Sequence, residues 1–179
     1  MTRTGAVQSF EARRAAGSAA RARLRPSRLG RWIPTADRPD PVALLHEQAR
    51  SRVQELVPVR YARMSVSPLA FYRGAAAVMA SDLASAAHSG IMVQLCGDAH
   101  LSNFGLFSTP ERHLTFDMND FDETLPGPFE WDVKRLAASF AVAARGRDFT
   151  DEETQKCVGA AVHGYRKGMK LAAESTVLD

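Results

Sequence analysis

The sequence predicts an α+β fold that is mainly α and contains a small β-hairpin. Two observations predict the helices: a capping residue precedes a proline at two places, and apolar residues recur at intervals of three and four. A third observation predicts the strands, because three short apolar segments lie between residues 91 and 118. The helix that follows these strands is expected to pack beneath the loop between them.

Two helices are predicted before residue 91. Asp40-Pro41 combines an N-cap residue with a first-turn proline and begins a helix through about Leu56. Ser67-Pro68 repeats this arrangement and begins a helix to about His88. The apolar face of the second helix is expected to lie in the core and consists of Leu69, Tyr72, Ala76, Met79 and Leu83.

Two more helices are predicted near the C-terminus. The helix after Asp132 has an apolar stripe formed by Val133, Leu136, Ala137, Phe140, Ala141 and Ala144. Its charged residues are placed on other faces and are Lys134, Arg135 and Arg145. Thr150 with Glu153 forms a capping box, which begins the last helix.

Three short strands are predicted in the middle of the chain. The apolar run Ile91–Cys96 suits a buried strand that ends at Gly97. Phe104–Phe107 and His113–Met118 are the other two, and the polar segment Ser108–Arg112 between them includes a proline and suits a hairpin turn. We therefore expect an antiparallel hairpin directly after the loop that follows the first strand.

The predicted hairpin brings three polar side chains together. It folds Asp120 back beside Asn103, and Asp98 begins the loop just before them. Mg²⁺ prefers hard oxygen ligands, usually one or two carboxylates together with substrate phosphates. Phosphoryl transfer also needs a carboxylate where the acceptor hydroxyl arrives. The pattern therefore predicts a magnesium and phosphate site, with Asp98 in position to act on the acceptor.

The spacing of these residues resembles the catalytic loops of protein kinases and of aminoglycoside and choline phosphotransferases. Those loops read H-x-D-x-x-x-x-N and H-G-D-x-H-x-x-N. Asp98 and Asn103 match the Asp and the Asn, which are five residues apart, and Gly97 and His100 match the second form. Asp120-Phe121 falls where these families have the metal-binding Asp-Phe.

The resemblance implies a protein-kinase-like catalytic lobe of the C-terminal type and a role for each matched residue. Asp98 would be the general base, with His100 beside it among the catalytic residues. Asn103 and Asp120 would bind the metal, and Asp122 would add a carboxylate near it.

Gly97 and Asp132 are expected to support the loop from outside. Asp132 stands where the small-molecule kinases have an Asp that begins the next helix, and it can accept hydrogen bonds from amides of its own first turn or of the loop. Two residues depart from the pattern: Cys96 replaces the His of those loops, and Asp122 replaces the Gly of Asp-Phe-Gly. Cys96 is expected to be a small buried apolar residue.

Arg73 is a further candidate, assigned here as cofactor-binding. It stands beside Gly74 in an otherwise apolar helix and therefore needs an anionic partner. A phosphate or one of the acidic residues would serve, and a structural ion pair is the alternative.

Three longer strings resemble a bacterial family, domain of unknown function 2252. They are RMSVSPLAFYRGAAAVMASDL, QLCGDAHLSNFG and FDMNDFDETLPGPFEWDVKRLAAS. The resemblance covers roughly residues 38–179, whereas family members are longer, with a glycine-rich loop and a lysine downstream of the catalytic loop. It therefore implies that the chain is a fragment that lacks the nucleotide-clamp lobe.

These resemblances imply an ATP- and Mg²⁺-dependent phosphotransferase that acts on a hydroxyl of a small-molecule or other, unknown substrate. Whether the chain is an enzyme depends on completion of the nucleotide site, so a non-catalytic remnant that binds metal or nucleotide is the alternative. A metal-dependent hydrolase with His100 among its ligands is a third reading. That reading is weaker because the remaining histidines share no metal-ligand spacing with His100.

Composition favours a cytoplasmic globular protein. The chain has 179 residues, of which 45% are hydrophobic and 24% charged, and only two are cysteines. No apolar run approaches 18 residues, so we expect no membrane-spanning helix. The N-terminus also lacks the apolar region of a secretory signal.

Charge is unevenly distributed along the chain. Residues 1–32 contain eight arginines and one glutamate, whereas residues 98–132 contain eight acidic residues and one arginine. We expect residues 1–36 to form an Arg-rich arm, disordered or loosely helical, and residues 37–179 to form a partial kinase-like domain. Nucleic-acid binding by the arm is a less favoured alternative, because few aromatic residues are interleaved with its arginines.

Overall fold

The protein has short antiparallel sheets set among helices, which confirms the predicted α+β, mainly α, class. A computed structural model describes residues 9–175. Its helices are α1 (Phe10–Arg23), α2 (Pro26–Leu29), α3 (Pro41–Ala49), α4 (Val57–Met64), α5 (Pro68–Gly74), α6 (Ala76–Ala84), α7 (Glu130–Arg145) and α8 (Asp151–Glu174). Its strands are β1 (Met92–Leu95), β2 (Phe104–Ser108), β3 (Leu114–Met118) and β4 (Leu125–Pro128).

The predicted helix starts are confirmed by their caps. The Asp40 side chain accepts a hydrogen bond from the Ala43 amide at 2.9 Å. Ser67 caps α5 in the same way, and Thr150 and Glu153 form the reciprocal capping box of α8. Each cap satisfies an amide that the first turn of a helix leaves without a partner.

The first of these helices is shorter than predicted, because it ends at Ala49 rather than near Leu56. The Gln54 side-chain amide donates to the carbonyl of Ala49 at 2.9 Å and so caps the end of α3. Pro58 then lies in the first turn of α4, where a missing amide hydrogen costs little, so a new helix begins instead of the old one continuing.

The second predicted helix is divided into α5 and α6 and ends at Ala84 rather than near His88. The Arg60 guanidinium donates to the carbonyl of Gly74 at 2.7 Å, at the C-terminal end of α5. A Cβ atom at Gly74 would come within 2.5 Å of the Met64 side chain, so the glycine allows α4 and α5 to pack closely. This junction places α4 and α5 along one side of the site.

The predicted hairpin is confirmed. Strand β2 pairs antiparallel with β3, so that Phe104 lies opposite Met118 at one end and Ser108 lies opposite Leu114 at the other. The prediction that the first strand is buried is wrong, because Met92 is 58% exposed in the two-stranded sheet that β1 forms with β4. Leu95, at the end of β1, is 1% exposed. The strand is covered only where it reaches the loop.

Packing of the helices fixes the base of the site. Helices α7 and α8 pack side by side, and α7 also contacts α5. The core cluster of α3, α4 and the α5–α6 junction consists of Leu45, Met64 and Ala75, with Tyr61 and Val78 against it. Helix α7 therefore lies between this cluster and α8, directly under the loop that follows β1.

The Arg-rich arm is helical over Phe10–Arg23, and its Ala20 is only 2% exposed. Trp32 donates to the carbonyl of Asp82, and Arg38 forms two hydrogen bonds with the Asp82 carboxylate at 2.6 and 2.9 Å. The first eight residues of the predicted arm and the last four of the predicted domain lie outside the described residues, and the boundary at residue 36 stays a prediction.

Within residues 9–175, no helix has both the length and the apolar character needed to cross a membrane.

Candidate functional site

The loop after β1 begins with a glycine whose backbone conformation other residues would not adopt easily. Gly97 has φ +88°, and a Cβ atom at this position would overlap the carbonyl group of Glu123. Both conditions favour glycine, because positive φ strains other residues and the carbonyl leaves no space for a side chain. Gly97 therefore turns the chain sharply so that Asp98 leaves the strand toward the helices.

A Gly97→Ala substitution should lower the free energy of unfolding by about 2 kcal/mol or more, because it adds both strain and an overlap with backbone. Gly90→Ala is the matched control: its φ is +81°, but nothing lies within 4 Å of an added Cβ atom. Urea unfolding of both variants separates the two contributions. Equal destabilisation by both would show that the contact with Glu123 has no energetic effect.

One face of α7 holds the whole loop through three polar side chains. Asp132, Arg135 and Ser139 are spaced by three and four residues and therefore project on one side of the helix. Asp132 accepts hydrogen bonds from the amides of Cys96 at 2.8 Å and Gly97 at 3.1 Å. The expected hydrogen bonds from the loop to Asp132 are thus present, whereas its supporting role in function stays a prediction.

The other two side chains continue the same face. The Arg135 Nε–H donates to Asp98 Oδ1, and Ser139 Oγ accepts from the Leu101 amide at 2.9 Å. Burial raises the pKa of Asp132, although the hydrogen bonds from Cys96 and Gly97 act in the opposite direction. Helix α7 thus fixes the loop at each end and at Asp98.

Arg135 lies outside the apolar stripe of its helix, as predicted, but it is buried against the loop. Its residue surface is only 3% exposed, and its guanidinium lies 4.3 Å from the ring centroid of Tyr72. It also donates to the Tyr72 carbonyl at 2.8 Å, and the Tyr72 hydroxyl donates to the Arg135 carbonyl at 2.8 Å. The spacing of Asp132, Arg135 and Ser139 was the signal in the sequence for a polar face directed at the loop.

His100 is buried next to Asp98. Its Nδ1 accepts a hydrogen bond from the Ser102 amide at 3.2 Å, and its Nε2 lies 3.7 Å from Asp98 Oδ2. Burial lowers the pKa of His100, and the charges of Arg73 and Arg135 lower it further against the effect of Asp98. A neutral imidazole with its proton on Nε2 is consistent with these contacts. His100 therefore orients the loop, and a direct part in chemistry stays a prediction.

Asn103 and Asp120 are brought to the same place by the hairpin. The Asn103 side-chain Nδ2 donates to the carbonyl of Asp98 at 2.7 Å, and the Asn103 carbonyl accepts from the Asn119 amide at 3.0 Å. The hydrogen bond to Asp98 uses the amide nitrogen and leaves the side-chain oxygen for a ligand. Asp120 is exposed, and its Oδ1 accepts from the Asp122 amide at 3.2 Å.

Cys96, at the end of β1, contacts the segment after β3 that contains Asp120. It is 2% exposed, as expected for a small buried residue, and its thiol donates to the carbonyl of Asp120 at 3.1 Å. Burial is the main cause that raises the pKa of Cys96 to about 11, so the group is a neutral thiol at physiological pH. Cys96 thus positions Asp120 through its backbone.

A cavity of about 820 Å³ lies over the loop. Five of the predicted site residues line it: Arg73, Asp98, His100, Asn103 and Asp120. Gly97, Asp122 and Asp132 do not line this cavity. Gly97 instead sets the backbone turn at the start of the loop, and Asp132 accepts hydrogen bonds from the amides there. The assignment of Asp122 to a metal stays a prediction.

The cavity contains oxygen donors of the types that Mg²⁺ accepts. Within residues 9–175, no three His, Cys, Asp or Glu side chains gather as a metal site. Asn103 and Asp120 offer one amide oxygen and one carboxylate, which suits Mg²⁺ because its remaining ligands are usually water and phosphate oxygens.

Comparison with known proteins gives one match. A family model described as an uncharacterized protein conserved in bacteria, DUF2252, matches residues 52–179. No curated protein and no solved structure matches the chain significantly. The matched residues include the loop, the hairpin, α7 and α8.

Proposed function

The chain belongs to this bacterial family, DUF2252, and on that premise we propose that its site transfers a phosphoryl group from Mg-ATP to a hydroxyl acceptor. One observation carries the proposal: Asp98, Asn103 and Asp120 line one cavity although 22 residues separate the first from the last. Their spacing is that of phosphotransferase loops, for which these three residue types have distinct tasks.

Asp98 has the contacts expected of a group that receives a hydroxyl. Its Oδ1 accepts from Arg135, so the carboxylate is held in one orientation, while its side chain keeps 17% of its surface exposed. The second oxygen, Oδ2, lies on the side of His100. We infer that an acceptor hydroxyl donates to Asp98, which orients it toward the phosphorus atom and accepts its proton.

Asn103 and Asp120 would hold Mg²⁺. When bound, the ion would neutralise the negative charge of the phosphate oxygens. The chain prepares these two residues differently: Asn103 is 6% exposed and fixed to the Asp98 backbone, whereas Asp120 is exposed on the segment after β3. We infer that α7, the loop and the hairpin together form a protein-kinase-like catalytic lobe.

A second candidate function is a module that binds metal or nucleotide without catalysis. It is favoured by one observation, that the sequence contains no G-x-G-x-x-G loop of the kind that covers nucleotide phosphates in kinases. Both candidates require the metal site, and they differ in whether Asp98 contributes to turnover.

The metal assignment predicts that Asp120→Ala lowers the affinity for Mg-ATP by about tenfold or more, because one of two protein ligands of the ion is lost. Calorimetric titration of the full chain with Mg-ATP, and with ATP in the presence of EDTA, measures this effect. The wild-type protein should bind ATP in EDTA about as weakly as Asp120→Ala binds Mg-ATP.

Asp117→Ala is the matched control for this titration. It removes the same charge from an exposed residue of β3, and it does not line the cavity. We expect it to bind Mg-ATP like the wild-type protein. Equal affinities of Asp120→Ala and the wild-type protein would eliminate the metal assignment.

A further inference from the structure

Four arginines line one side of the cavity over the loop. Arg52 precedes the short 3₁₀ turn at Gln54–Leu56, Arg60 and Arg63 lie on α4, and Arg73 lies on α5. Of the four, only Arg73 was expected from the sequence to bind a ligand, because it stands beside Gly74 in an otherwise apolar helix. We name these four residues the arginine wall.

The arginine wall has no carboxylate partner in the described part of the chain. Ion pairs there join other residues, and no acidic oxygen lies within 4.0 Å of a guanidinium nitrogen of the four. By contrast, Arg38 and Arg135 each engage a carboxylate directly. The charges of the wall are therefore available to a ligand.

Burial makes this arrangement costly without an anion. The Nε of Arg52 is buried and has no hydrogen-bond partner. Burial, followed by the charge of Arg52, lowers the pKa of Arg60, whereas the charges of Glu123, Tyr61 and Asp98 act in the opposite direction. Arg60 uses one nitrogen on the Gly74 carbonyl, which fixes its side chain along the cavity. An anion between these groups would offset both the repulsion and the lost hydration.

The two acidic residues of the cavity do not supply that anion. Asp98 is paired with Arg135, and Asp120 accepts from the amide of Asp122. Four positive charges thus face two carboxylates, one of which already has a cationic partner. Guanidinium groups bind carboxylate and phosphate oxygens in planar, bidentate geometry. A phosphate group carries nearly two negative charges and three acceptor oxygens, so it suits four guanidinium groups better than a carboxylate does.

We propose that the arginine wall binds a phosphate group carried by the acceptor, so that the substrate is a phosphorylated hydroxyl compound. This inference rests on the proposed function, because it assumes that the acceptor hydroxyl meets Asp98. Asp98 and the wall line the same cavity, so an acceptor in contact with Asp98 lies beside the arginines. A volume of about 820 Å³ is in the range of small-molecule sites.

Inorganic phosphate is the probe, since it contains the recognised group whatever the rest of the acceptor. In metal-free buffer, calorimetry should show that the full chain binds phosphate and that Arg63→Gln/Arg73→Gln weakens binding by about a hundredfold, or about tenfold for each lost charge-assisted contact. Both arginines are exposed, so their replacement should not disturb folding. Arg50→Gln/Arg147→Gln removes two exposed charges outside the cavity and should bind phosphate like the wild-type protein.

A second arm separates the acceptor from the nucleotide. The phosphate titration is repeated in the presence of saturating Mg²⁺ and a non-hydrolysable ATP analogue, and we expect phosphate affinity to change less than threefold. Displacement of phosphate by the analogue would overturn the proposal, because the wall would then serve the nucleotide. Absence of phosphate binding, or equal binding by Arg63→Gln/Arg73→Gln, would also overturn it. The metal-free arm does not involve Asp120, so its failure is distinguishable from failure of the proposed metal site.

Discussion

Asp132→Ala is expected to lower the free energy of unfolding by about 2–6 kcal/mol, the largest effect on stability that we predict. The substitution leaves the amides of Cys96 and Gly97 without their acceptor, and each buried, unpaired amide costs about 1–3 kcal/mol. Both amides belong to the segment that turns from β1 into the loop, so the loop should also become mobile.

Urea unfolding measures this cost. Asp132→Asn keeps one acceptor oxygen and should lose less stability than Asp132→Ala. Asp117→Ala removes an exposed carboxylate and should stay within about 0.5 kcal/mol of the wild-type protein. If Asp132→Ala were as stable as Asp117→Ala, the support of the loop by α7 would have to come from other contacts.

Asp98→Asn is expected to lower the rate of phosphoryl transfer by at least about a hundredfold, because a general base contributes about 10²–10⁴ to such a rate. Asparagine has nearly the same shape as aspartate and retains an oxygen that can accept from the Arg135 Nε–H. It no longer accepts a proton, and it brings an amide group to the place where the acceptor hydroxyl must donate.

The same substitution should leave Mg-ATP binding close to that of the wild-type protein. Asn103 donates to the backbone carbonyl of residue 98, not to its side chain, so the proposed metal ligands keep their support. Loss of turnover together with retained nucleotide binding would separate a catalytic role of Asp98 from unfolding of the loop.

Local rules predicted most of the secondary structure. Capping residues are read from a few neighbouring side chains, and for this reason the starts at Asp40, Ser67 and Thr150 are confirmed. Helix ends were less predictable, since the breaks at Ala49 and Ala75 involve the side chains of Gln54 and Arg60, which act across a junction.

Strand β4 was missed for a different reason. Pro126-Gly127-Pro128 is typical of a turn, and proline is tolerated in a strand only at an edge. β4 pairs with β1 in a sheet of two strands, so the prolines need not donate to another neighbour. The exposure of β1 also follows from the small size of this sheet. Two strands alone give their side chains little cover, and only Leu95, where β1 reaches the loop, is buried.

The site could be predicted where spacing alone determined it. The hairpin set the distance from Asn103 to Asp120, and a fixed loop length set that from Asp98 to Asn103. Arg135 was missed as a site residue because its partner, Asp98, lies 37 residues away in the sequence. Arg60 and Arg63 were missed because no helix was predicted between Leu56 and Ser67, where α4 lies.

Transfer of the γ-phosphoryl group of Mg-ATP to water, which takes the place of the acceptor hydroxyl and yields ADP and inorganic phosphate, tests the proposed chemistry most directly when followed by phosphorus-31 NMR. The full chain is compared with Asp98→Asn and with Asp117→Asn, which alters an exposed carboxylate outside the cavity. We expect the wild-type protein and Asp117→Asn to consume ATP at the same rate and Asp98→Asn to be at least about a hundredfold slower. No consumption by the wild-type protein, or an Asp98→Asn rate equal to that of the wild-type protein, would contradict phosphoryl transfer through Asp98.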